Sequence, residues 1–310
     1  MDNRRTFLKK ATMASAALSF LPKSSEMLLT KATPLFSLAQ WSLHKALQAG
    51  EIKAKDFPKI TKNDFGINAC EYVNQFYADQ KTNSAFWSEM LQLTQEEGIN
   101  NLLIMVDAEG ELGSANTTER HKAVTNHHGW VDIAAKMGCH SIRVNAFGEQ
   151  DENTLKDALV DGLGKLCEYG QKAKINVLIE NHGLLSSQAD FIVEVIHEVN
   201  NPYLGTLPDF GNWCTSELWG STMGDGCQSV YDHVEGVKKF MPYAKGVSAK
   251  TYDFDANGNQ PKLDYKSMLK VVKDAGYDGY IGIEYEGQNL SESEGIKASK
   301  KLIESVWSEL

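Results

Sequence analysis

The chain has 310 residues, of which 42% are hydrophobic and 23% charged, values that are typical of a globular protein with a sizeable core. Acidic residues outnumber basic ones by 41 to 31, which makes the formal net charge −10. Because nucleic acids attract positively charged surfaces, this balance argues against nucleic acid as a partner.

The N-terminal residues are typical of an export signal. Arg4 and Arg5 precede an apolar, small-residue run from Ala11 to Leu21. A positive segment before an apolar run of this length predicts a signal peptide, and the paired arginines resemble a twin-arginine signal. An ordinary secretory signal or a short amphipathic helix are the alternatives. We therefore expect residues 1–33 to be a signal peptide and linker, and the protein to be exported to the periplasm.

Beyond the linker, short apolar runs alternate with longer helical patterns, which is typical of βα units around a parallel sheet. Several runs are apolar throughout, as expected for strands that are buried on both faces. The predicted strands are Leu35–Gln40, Ile67–Tyr72, Leu102–Asp107, Ser141–Asn145, Asn176–Glu180, Tyr203–Asp209, Ala244–Lys250 and Tyr280–Tyr285.

Helical patterns lie between these strands, and the segment after the first strand is the least clearly helical. Gly98 and Gly138 mark two helix ends, because glycine is favoured just past the last helical turn. The predicted helices are Ser84–Gly98, Thr117–Gly138, Thr154–Lys174, Ser187–Val199, Ser229–Phe240, Tyr265–Gly276 and Ser291–Ser308.

Eight strands that alternate with helices predict an α/β fold, a single-domain (β/α)8 TIM barrel over residues 34–310. A doubly wound open sheet is the alternative, but the sequence lacks the glycine-rich phosphate loop that such a sheet usually carries. After the signal, no apolar run is long enough to predict a membrane span.

The five cysteines do not predict a disulfide framework. Their number is odd and no CxxC motif occurs, so we expect most of them to be buried as small apolar residues. Cys214 is the cysteine that lies close to candidate site residues.

Polar residues end nearly every predicted strand, and the active site of this barrel forms at those ends. Glu180, Asp209 and Glu284 each follow an apolar strand, where burial without a partner is costly. Converging carboxylates commonly hold a divalent cation such as Mn²⁺ or Mg²⁺. The alternative is that each acid caps a loop or pairs with a basic residue.

Other strand-end residues are candidates for contacts with a substrate. Arg143 and Asn145 alternate on one strand, so both side chains face the same side of the sheet. The full set of expected substrate contacts is Glu71, Arg143, Asn145, His182, Asn212, Trp213 and Lys250.

Four short motifs at the strand ends carry a resemblance to one family. They are Arg143-Val144-Asn145, Glu180-Asn181-His182-Gly183, Asp209-Phe210-Gly211-Asn212-Trp213 and Ile283-Glu284-Tyr285-Glu286-Gly287. These motifs resemble the sugar phosphate isomerase/epimerase family of xylose-isomerase-like barrels, from about residue 35 to the C-terminus. They are more specific for the superfamily than for a substrate.

The resemblance implies roles for the three acids. It assigns Glu180, Asp209 and Glu284 as metal ligands, and Glu180 and Glu284 also as the catalytic acid/base pair. The pair would move a proton at the carbon next to a carbonyl, with the metal polarising that carbonyl.

The sequence departs from the family pattern at the seventh strand. Ser248 stands where the family usually has a histidine ligand, and serine is a weak ligand. A metal site with three protein ligands and water is one alternative, and an inward-pointing Lys250 that replaces the cation is the other.

The resemblance therefore predicts a metal-dependent isomerase or epimerase that acts on a sugar or keto-sugar. Export argues against phosphorylated substrates, so we expect a free sugar or an oxidised glycoside. A lyase that performs β-elimination on 3-keto-glycosides and a non-catalytic sugar-binding barrel stay open as alternatives. A small-molecule carbohydrate is the expected partner, and a homo-oligomer is left open.

Overall fold

A parallel eight-stranded sheet is the centre of the computed structural model, which describes residues 33–310. Consecutive strands pair from the first to the sixth, the first strand also pairs with the eighth, and the eighth pairs with the seventh. The predicted signal peptide, through residue 32, lies outside the described residues. The strands are β1 (Leu35–Ala39), β2 (Ala69–Val73), β3 (Asn100–Met105), β4 (Ser141–Asn145), β5 (Asn176–Glu180), β6 (Leu204–Leu207), β7 (Val247–Thr251) and β8 (Tyr280–Tyr285).

Two single-residue bridges close the sheet between β6 and β7. Thr206 pairs with Ala244, and Asp209 pairs with Ser248, both in parallel orientation. An open doubly wound sheet would leave these two strands as free edges. The predicted (β/α)8 barrel is thus confirmed, and closure places Asp209 beside Ser248 at the C-terminal end of the barrel.

Helices surround the barrel. The segment after β1, which has the least clear helical pattern in the sequence, contains two of them. The predicted helix ends at Gly98 and Gly138 are confirmed, with φ of 65° and 75°. Within residues 33–310, no helix is both long and apolar enough to span a bilayer. The helices are α1 (His44–Gln48), α2 (Phe57–Phe65), α3 (Ser84–Glu97), α4 (Thr117–Met137), α5 (Glu152–Ala173), α6 (Ala189–Val199), α7 (His233–Phe240), α8 (Tyr265–Asp274) and α9 (Glu292–Glu309), with short 3-10 helices at Gln40–Leu43, Ala54–Asp56, Asn74–Gln80, Leu184–Ser187 and Met241–Tyr243.

The barrel interior changes from apolar to acidic along the strands. Side chains two residues apart on a strand face the same side. Leu178 is therefore followed inward by Glu180 on β5, and Leu207 is followed by Asp209 after β6. The acids thus lie on an apolar floor inside the barrel, which is formed by Ala39, Val73, Leu103, Met105, Leu178 and Leu207.

One disulfide, between Cys214 and Cys227, closes the loop that joins β6 to α7. The expectation that the cysteines form no disulfide framework is therefore wrong for this pair. The spacing of 13 residues matches no motif, so only the folded chain reveals that the two side chains meet. The other cysteines, Cys70, Cys139 and Cys167, are free and buried, as expected.

We expect Gly236→Ala and Gly164→Ala, both in helices, to change stability in opposite directions. A Cβ at Gly236 would lie 2.5 Å from the Trp213 ring, whereas one at Gly164 would have no heavy atom within 4 Å. Overpacking should lower the free energy of unfolding by about 1–3 kcal/mol for Gly236→Ala. Lower backbone entropy of the unfolded chain should raise it by roughly 0.5–1 kcal/mol for Gly164→Ala. Urea unfolding measures both, and equal effects of the two variants would contradict this packing.

Candidate active site

A cavity of about 350 Å³ lies at the C-terminal ends of the strands. This volume falls in the range of small-molecule sites in proteins. Both charged and aromatic side chains line it, which suits a ligand that has both hydroxyl groups and an apolar face. The lining residues are Trp41, Val73, Gln75, Asp107, Arg143, His182, Trp219, Ser221, Lys250, Glu284 and Glu286.

Three of the predicted acids converge at this end of the barrel. Glu180, Asp209 and Glu284 are 2%, 0% and 4% exposed. One carboxylate oxygen of each lies within 4.8 Å of the others. Carboxylates this close in a buried site repel one another unless cations or protons neutralise them.

The Lys250 ammonium supplies one neutralising charge. Its Nζ lies 3.6 Å from Asp209 Oδ2 and 3.5 Å from Glu284 Oε1 and Glu286 Oε1. Burial disfavours the charged amine, but the three carboxylates outweigh burial and raise the pKa of Lys250 well above its usual value. Lys250 therefore stays protonated among these acids at neutral pH.

Ser248 contacts two of the acids at once. Its Oγ lies 2.7 Å from Asp209 Oδ2 and 2.9 Å from Glu284 Oε2. A hydroxyl carries one proton, so it can donate only one of these two hydrogen bonds. Burial raises the pKa of Glu284 to about 7 and also raises the pKa of Asp209. A proton held by one of the two carboxyl groups would satisfy the second contact.

Arg143 is the second buried cation of the site. Its Nη1 donates to Asp107 Oδ1 at 2.7 Å, and its Nε lies 2.8 Å from Glu180 Oε2. Asn145 Nδ2 also donates to Asp107 Oδ1 at 2.7 Å. Burial opposes the charge on Asp107, but the Arg143 guanidinium outweighs burial and lowers the pKa of Asp107 to about 2. The pair of Arg143 and Asp107 is therefore ionised throughout the neutral range.

Glu180 is only partly satisfied by its neighbours. Asn212 Nδ2 donates to Glu180 Oε1 at 3.3 Å. Glu180 Oε2 is close to Arg143 Nε, but the two groups are not oriented for a hydrogen bond. Neither atom has a hydrogen-bond partner among the described residues. Burial raises the pKa of Glu180 to about 8 in spite of the Arg143 charge. Glu180 is thus poised to hold a proton near neutral pH.

His182 has a defined tautomer. Its Nδ1 lies 2.7 Å from Asn145 Oδ1, an oxygen that also accepts from Arg143 Nη1 at 3.1 Å. Nδ1 must therefore carry the proton. Burial, followed by the charges of Arg143 and Lys250, lowers the pKa of His182 well below its usual value. The ring is neutral and belongs to a residue that lines the cavity, and its unprotonated Nε2 can accept a hydrogen bond.

The donor set of the triad fits a divalent cation. Oxygen ligands suit Mg²⁺ and Mn²⁺, and among the described residues Glu180 Oε2 accepts no hydrogen bond, although Arg143 Nε lies 2.8 Å from it. Asp209 is held for this role, because the backbone N–H groups of Gly211 and Asn212 donate to its other oxygen, Oδ1, at 2.8 and 2.9 Å. Lys250 opposes a cation here, because its ammonium lies beside two of the three ligands.

Four predicted substrate contacts are not part of the cavity lining. Asn145 and Asn212 lie behind it, where they bond to Asp107 and Glu180. Glu71 is buried inside the barrel, where it accepts a hydrogen bond from Ser37 Oγ at 2.6 Å, and burial raises its pKa to about 7. Trp213 is fully buried and packs against Phe240 with ring centroids 5.4 Å apart. Because the chain turns outward after Asp209, the indole of Trp213 packs against α7, and its position does not support a contact with substrate.

Two tryptophans that were absent from the predicted set line the cavity. Trp41 lies two residues past the end of β1, so its place near a strand end was a usable signal. Trp219 belongs to the disulfide-closed loop, far from any strand end, and no sequence pattern indicated it. Tryptophan faces of this kind can stack on the apolar face of a sugar.

One protein-family model and several individual proteins are similar in sequence to this chain. The family model described as "Xylose isomerase-like TIM barrel" matches residues 63–306. The C-glycoside deglycosidase alpha subunit of Arthrobacter globiformis is 41% identical over 64 residues, which cover 20% of this chain and 18% of that protein. The chain thus matches about a fifth of the length of that relative.

Solved structures share the fold at low identity. The 3-keto-D-glucoside 4-epimerase from E. coli has a TM-score of 0.63 and 12% identity, covering 82% of this chain and 94% of that one. A xylose isomerase-like TIM barrel protein from Mycobacterium smegmatis, solved in complex with magnesium, has a TM-score of 0.61 and 15% identity, covering 90% and 98%.

We expect Asp107→Asn to lower the free energy of unfolding at pH 7 by about 3 kcal/mol, because Arg143 loses a buried partner. The folded-state pKa of Asp107 is about 2, against 3.8 for the free group. The ionised carboxylate therefore stabilises the fold above about pH 4, and this contribution is lost as the pH falls toward 2.

Urea unfolding of the wild type and Asp107→Asn between pH 7 and pH 3 measures the effect, and the difference should shrink at the acidic end. Asp274→Asn is the matched control, because Asp274 forms an exposed ion pair with Lys270. Its effect should stay within about 0.5 kcal/mol. A constant difference for Asp107→Asn across this pH range would contradict the assigned pKa.

Proposed function

The chain belongs to the xylose isomerase-like TIM barrel family, and we propose that it is an isomerase or epimerase that acts on a sugar or keto-sugar. The reaction would be proton transfer at the carbon next to a carbonyl. Glu284 and Glu180 would be the acid/base pair.

One observation carries this proposal. Glu180 and Glu284 are buried carboxyl groups with raised pKa values, about 8 and 7, whose oxygens converge at one end of the barrel. A general acid and a general base work best when their pKa values lie near the operating pH. Near neutral pH, one group can therefore accept a proton while the other holds one.

Glu284 is the better candidate for the first proton transfer, because it lines the cavity directly. As a carboxylate it would remove the proton, and the electron pair of that C–H bond would move toward the carbonyl oxygen to form an enediolate. Glu180 contacts the lining residue Arg143 and would return a proton to carbon in the epimerase reaction. In an isomerisation, one carboxyl would instead deliver the same proton to the neighbouring carbon, the former carbonyl carbon, while the proton of the adjacent hydroxyl passes to the former carbonyl oxygen.

The cations of the site would stabilise the charge that develops on the carbonyl oxygen. Arg143 and Lys250 both line the cavity and are both charged, so they suit a developing oxyanion. His182 presents a neutral acceptor nitrogen that suits a sugar hydroxyl. These groups supply orientation and electrostatic stabilisation without giving up a proton.

We further propose that Glu180, Asp209 and Glu284 hold a Mn²⁺ or Mg²⁺ ion. When bound, a divalent cation would polarise the substrate carbonyl. Support comes from the convergence of the three carboxylates and from Glu180 Oε2, which accepts no hydrogen bond from the described residues. Ser248 would contribute by holding Asp209 and Glu284 in place through its hydroxyl.

A lyase that acts on 3-keto-glycosides is the second candidate, and the match to a C-glycoside deglycosidase subunit favours it. The carboxylate would remove the proton at C2, a C1–C2 double bond would form, and the bond from C1 to the leaving group would break. A proton from the second carboxyl would pass to the leaving group. The same pair of glutamates serves both reactions.

We also propose that the protein is exported to the periplasm through its twin-arginine-type N-terminus. The Cys214–Cys227 disulfide supports this proposal, because disulfides persist in oxidising compartments. A small, unphosphorylated carbohydrate is the substrate class that agrees with this location.

We expect deuterium from D₂O to enter a keto-sugar at the carbon next to the carbonyl when the protein is present with Mn²⁺. Methyl 3-keto-β-D-glucoside and D-fructose are the probes, read by mass spectrometry and NMR. Glu284→Gln should lower the exchange rate by about 100-fold or more, because the base is lost. Release of methanol with formation of an unsaturated keto-sugar would identify the lyase reaction.

Glu168→Gln is the matched control for this assay, because Glu168 is exposed on α5. This variant should exchange at the wild-type rate. Exchange that is as fast in Glu284→Gln as in the wild type would rule out Glu284 as the base.

We expect Lys250→Met to tighten Mn²⁺ binding by about tenfold or more, because the variant removes a like charge beside the ligands. Calorimetry and the Mn²⁺-dependent rise in melting temperature both report this change. Lys245→Met is the matched control, since Lys245 bonds to Asn176 and Pro202, which line no part of the cavity. Absence of Mn²⁺ binding in the wild type and in Lys250→Met would contradict the proposed metal site.

A further inference from the structure

The loop from Cys214 to Cys227, called here the disulfide loop, brings apolar side chains to the mouth of the catalytic cavity. Its Leu218 and Trp219 are 46% and 47% exposed, which is unusual for large apolar residues. Trp219 lines the catalytic cavity. Two adjacent exposed apolar residues at a cavity mouth indicate a surface that a ligand covers.

Backbone contacts hold the disulfide loop against the turn that follows β5. Leu218 forms an antiparallel bridge with Gly183, and the backbone N–H of Leu184 donates to the Glu217 carbonyl at 3.2 Å. The backbone N–H of Cys214 donates to the Gly220 carbonyl at 2.9 Å. The loop is therefore tied at both ends and in its middle, so Leu218 and Trp219 have fixed positions.

A second cavity of about 230 Å³ lies beside the catalytic one. Its apolar lining includes Phe147, Leu155, Leu184, Leu185 and Leu218. None of its lining residues is a lysine or an arginine. Glu111 is the one ionisable residue of this lining. A phosphate or carboxylate group would therefore find no counter-charge there, and the apolar side chains suit an uncharged apolar group.

A wall of aromatic rings separates the two cavities. The centroid of the Trp219 ring lies 5.5 Å from that of Phe147 and 5.0 Å from that of His182, and both ring pairs are in edge-on contact. Phe147 lines the second cavity, whereas His182 and Trp219 line the catalytic one. Leu218, the neighbour of Trp219, lines the second cavity, and both side chains are exposed. A molecule that sits over the catalytic acids and reaches across the exposed face of Trp219 would therefore contact Leu218 at the second cavity.

Two residues beside this wall adopt strained backbone conformations. Leu184 has φ of 52° and Trp219 has φ of 70°, a region that favours glycine. Such strain persists only where the surrounding contacts dictate it, and it concentrates at ligand sites. Here the strain lies on the two segments that meet between the cavities.

We propose that the second cavity, together with Leu218 and Trp219, is a subsite for the apolar or aromatic aglycone of a glycoside. The polar cavity would take the sugar ring, and the apolar cavity would take the group attached to it. The substrate class is then a glycoside with an apolar aglycone rather than a free monosaccharide. This inference rests on the proposed function, because it assumes that the catalytic cavity binds a sugar.

The test compares the affinities of 4-nitrophenyl β-D-glucoside and methyl β-D-glucoside by calorimetry. Neither probe has a ketone, so turnover does not disturb the measurement. Wild-type protein should bind the 4-nitrophenyl glucoside about tenfold more tightly, which is the size expected for one aromatic contact. Leu218→Ser should bring the ratio of the two affinities toward one.

Leu290→Ser is the matched control, because Leu290 is also apolar and exposed but lines neither cavity. The double variant Cys214→Ser/Cys227→Ser should lower the ratio as Leu218→Ser does, since it releases the disulfide loop, and circular dichroism verifies that each variant is folded.

Equal wild-type affinities, failure of both probes to bind, or a ratio that folded Leu218→Ser leaves unchanged would overturn the subsite. Deuterium exchange into methyl 3-keto-β-D-glucoside judges the proposed reaction separately.

Discussion

The need to neutralise buried carboxyl groups shapes the upper end of this barrel. Asp107, Glu180, Asp209 and Glu284 are all buried within reach of two cations, Arg143 and Lys250. Each cation contacts at least two acids, so removing either would leave charges without partners in a low-dielectric interior. Burial, which the cations offset only in part, raises the pKa values of Glu180 and Glu284 toward neutrality, and the neighbouring acids add to this effect. The groups suited to acid/base chemistry are therefore those that the charge balance leaves incompletely satisfied.

The sequence predicts the acids at this end of the barrel well, because the strand that precedes each acid determines its position. An apolar parallel strand that ends in an acid, as at Glu180 or Glu284, must place that acid at the shared C-terminal edge. The predicted bounds of β4, β5 and β8 agree with the structure for the same reason. Trp213 lies six residues past the end of β6, where strand alternation no longer determines the direction of a side chain, so its orientation does not follow from the sequence pattern.

The disulfide loop could not be predicted, because its position depends on contacts between distant segments. Cys214 and Cys227 match no spacing motif, and Trp219 has neither a strand nor a helix to orient it. The loop also displaces the start of α7 to His233, four residues after the helix start predicted from periodicity. Long βα loops carry much of the specificity in this fold, and they are also the segments with the weakest sequence signal.

Ser248 on β7 affects which cation neutralises the acidic site, a metal ion or the Lys250 ammonium. A histidine at position 248 would fill the space next to Asp209 and Glu284 and would offer a nitrogen to a metal. The smaller Ser248 instead bridges the two carboxyl groups through its hydroxyl, and Lys250 lies on the same face of the strand two residues later. One strand thus presents a hydrogen-bond donor and a fixed positive charge to the same pair of acids. A divalent cation at this site must share Asp209 and Glu284 with Lys250, so metal affinity and the charge of the lysine are directly coupled.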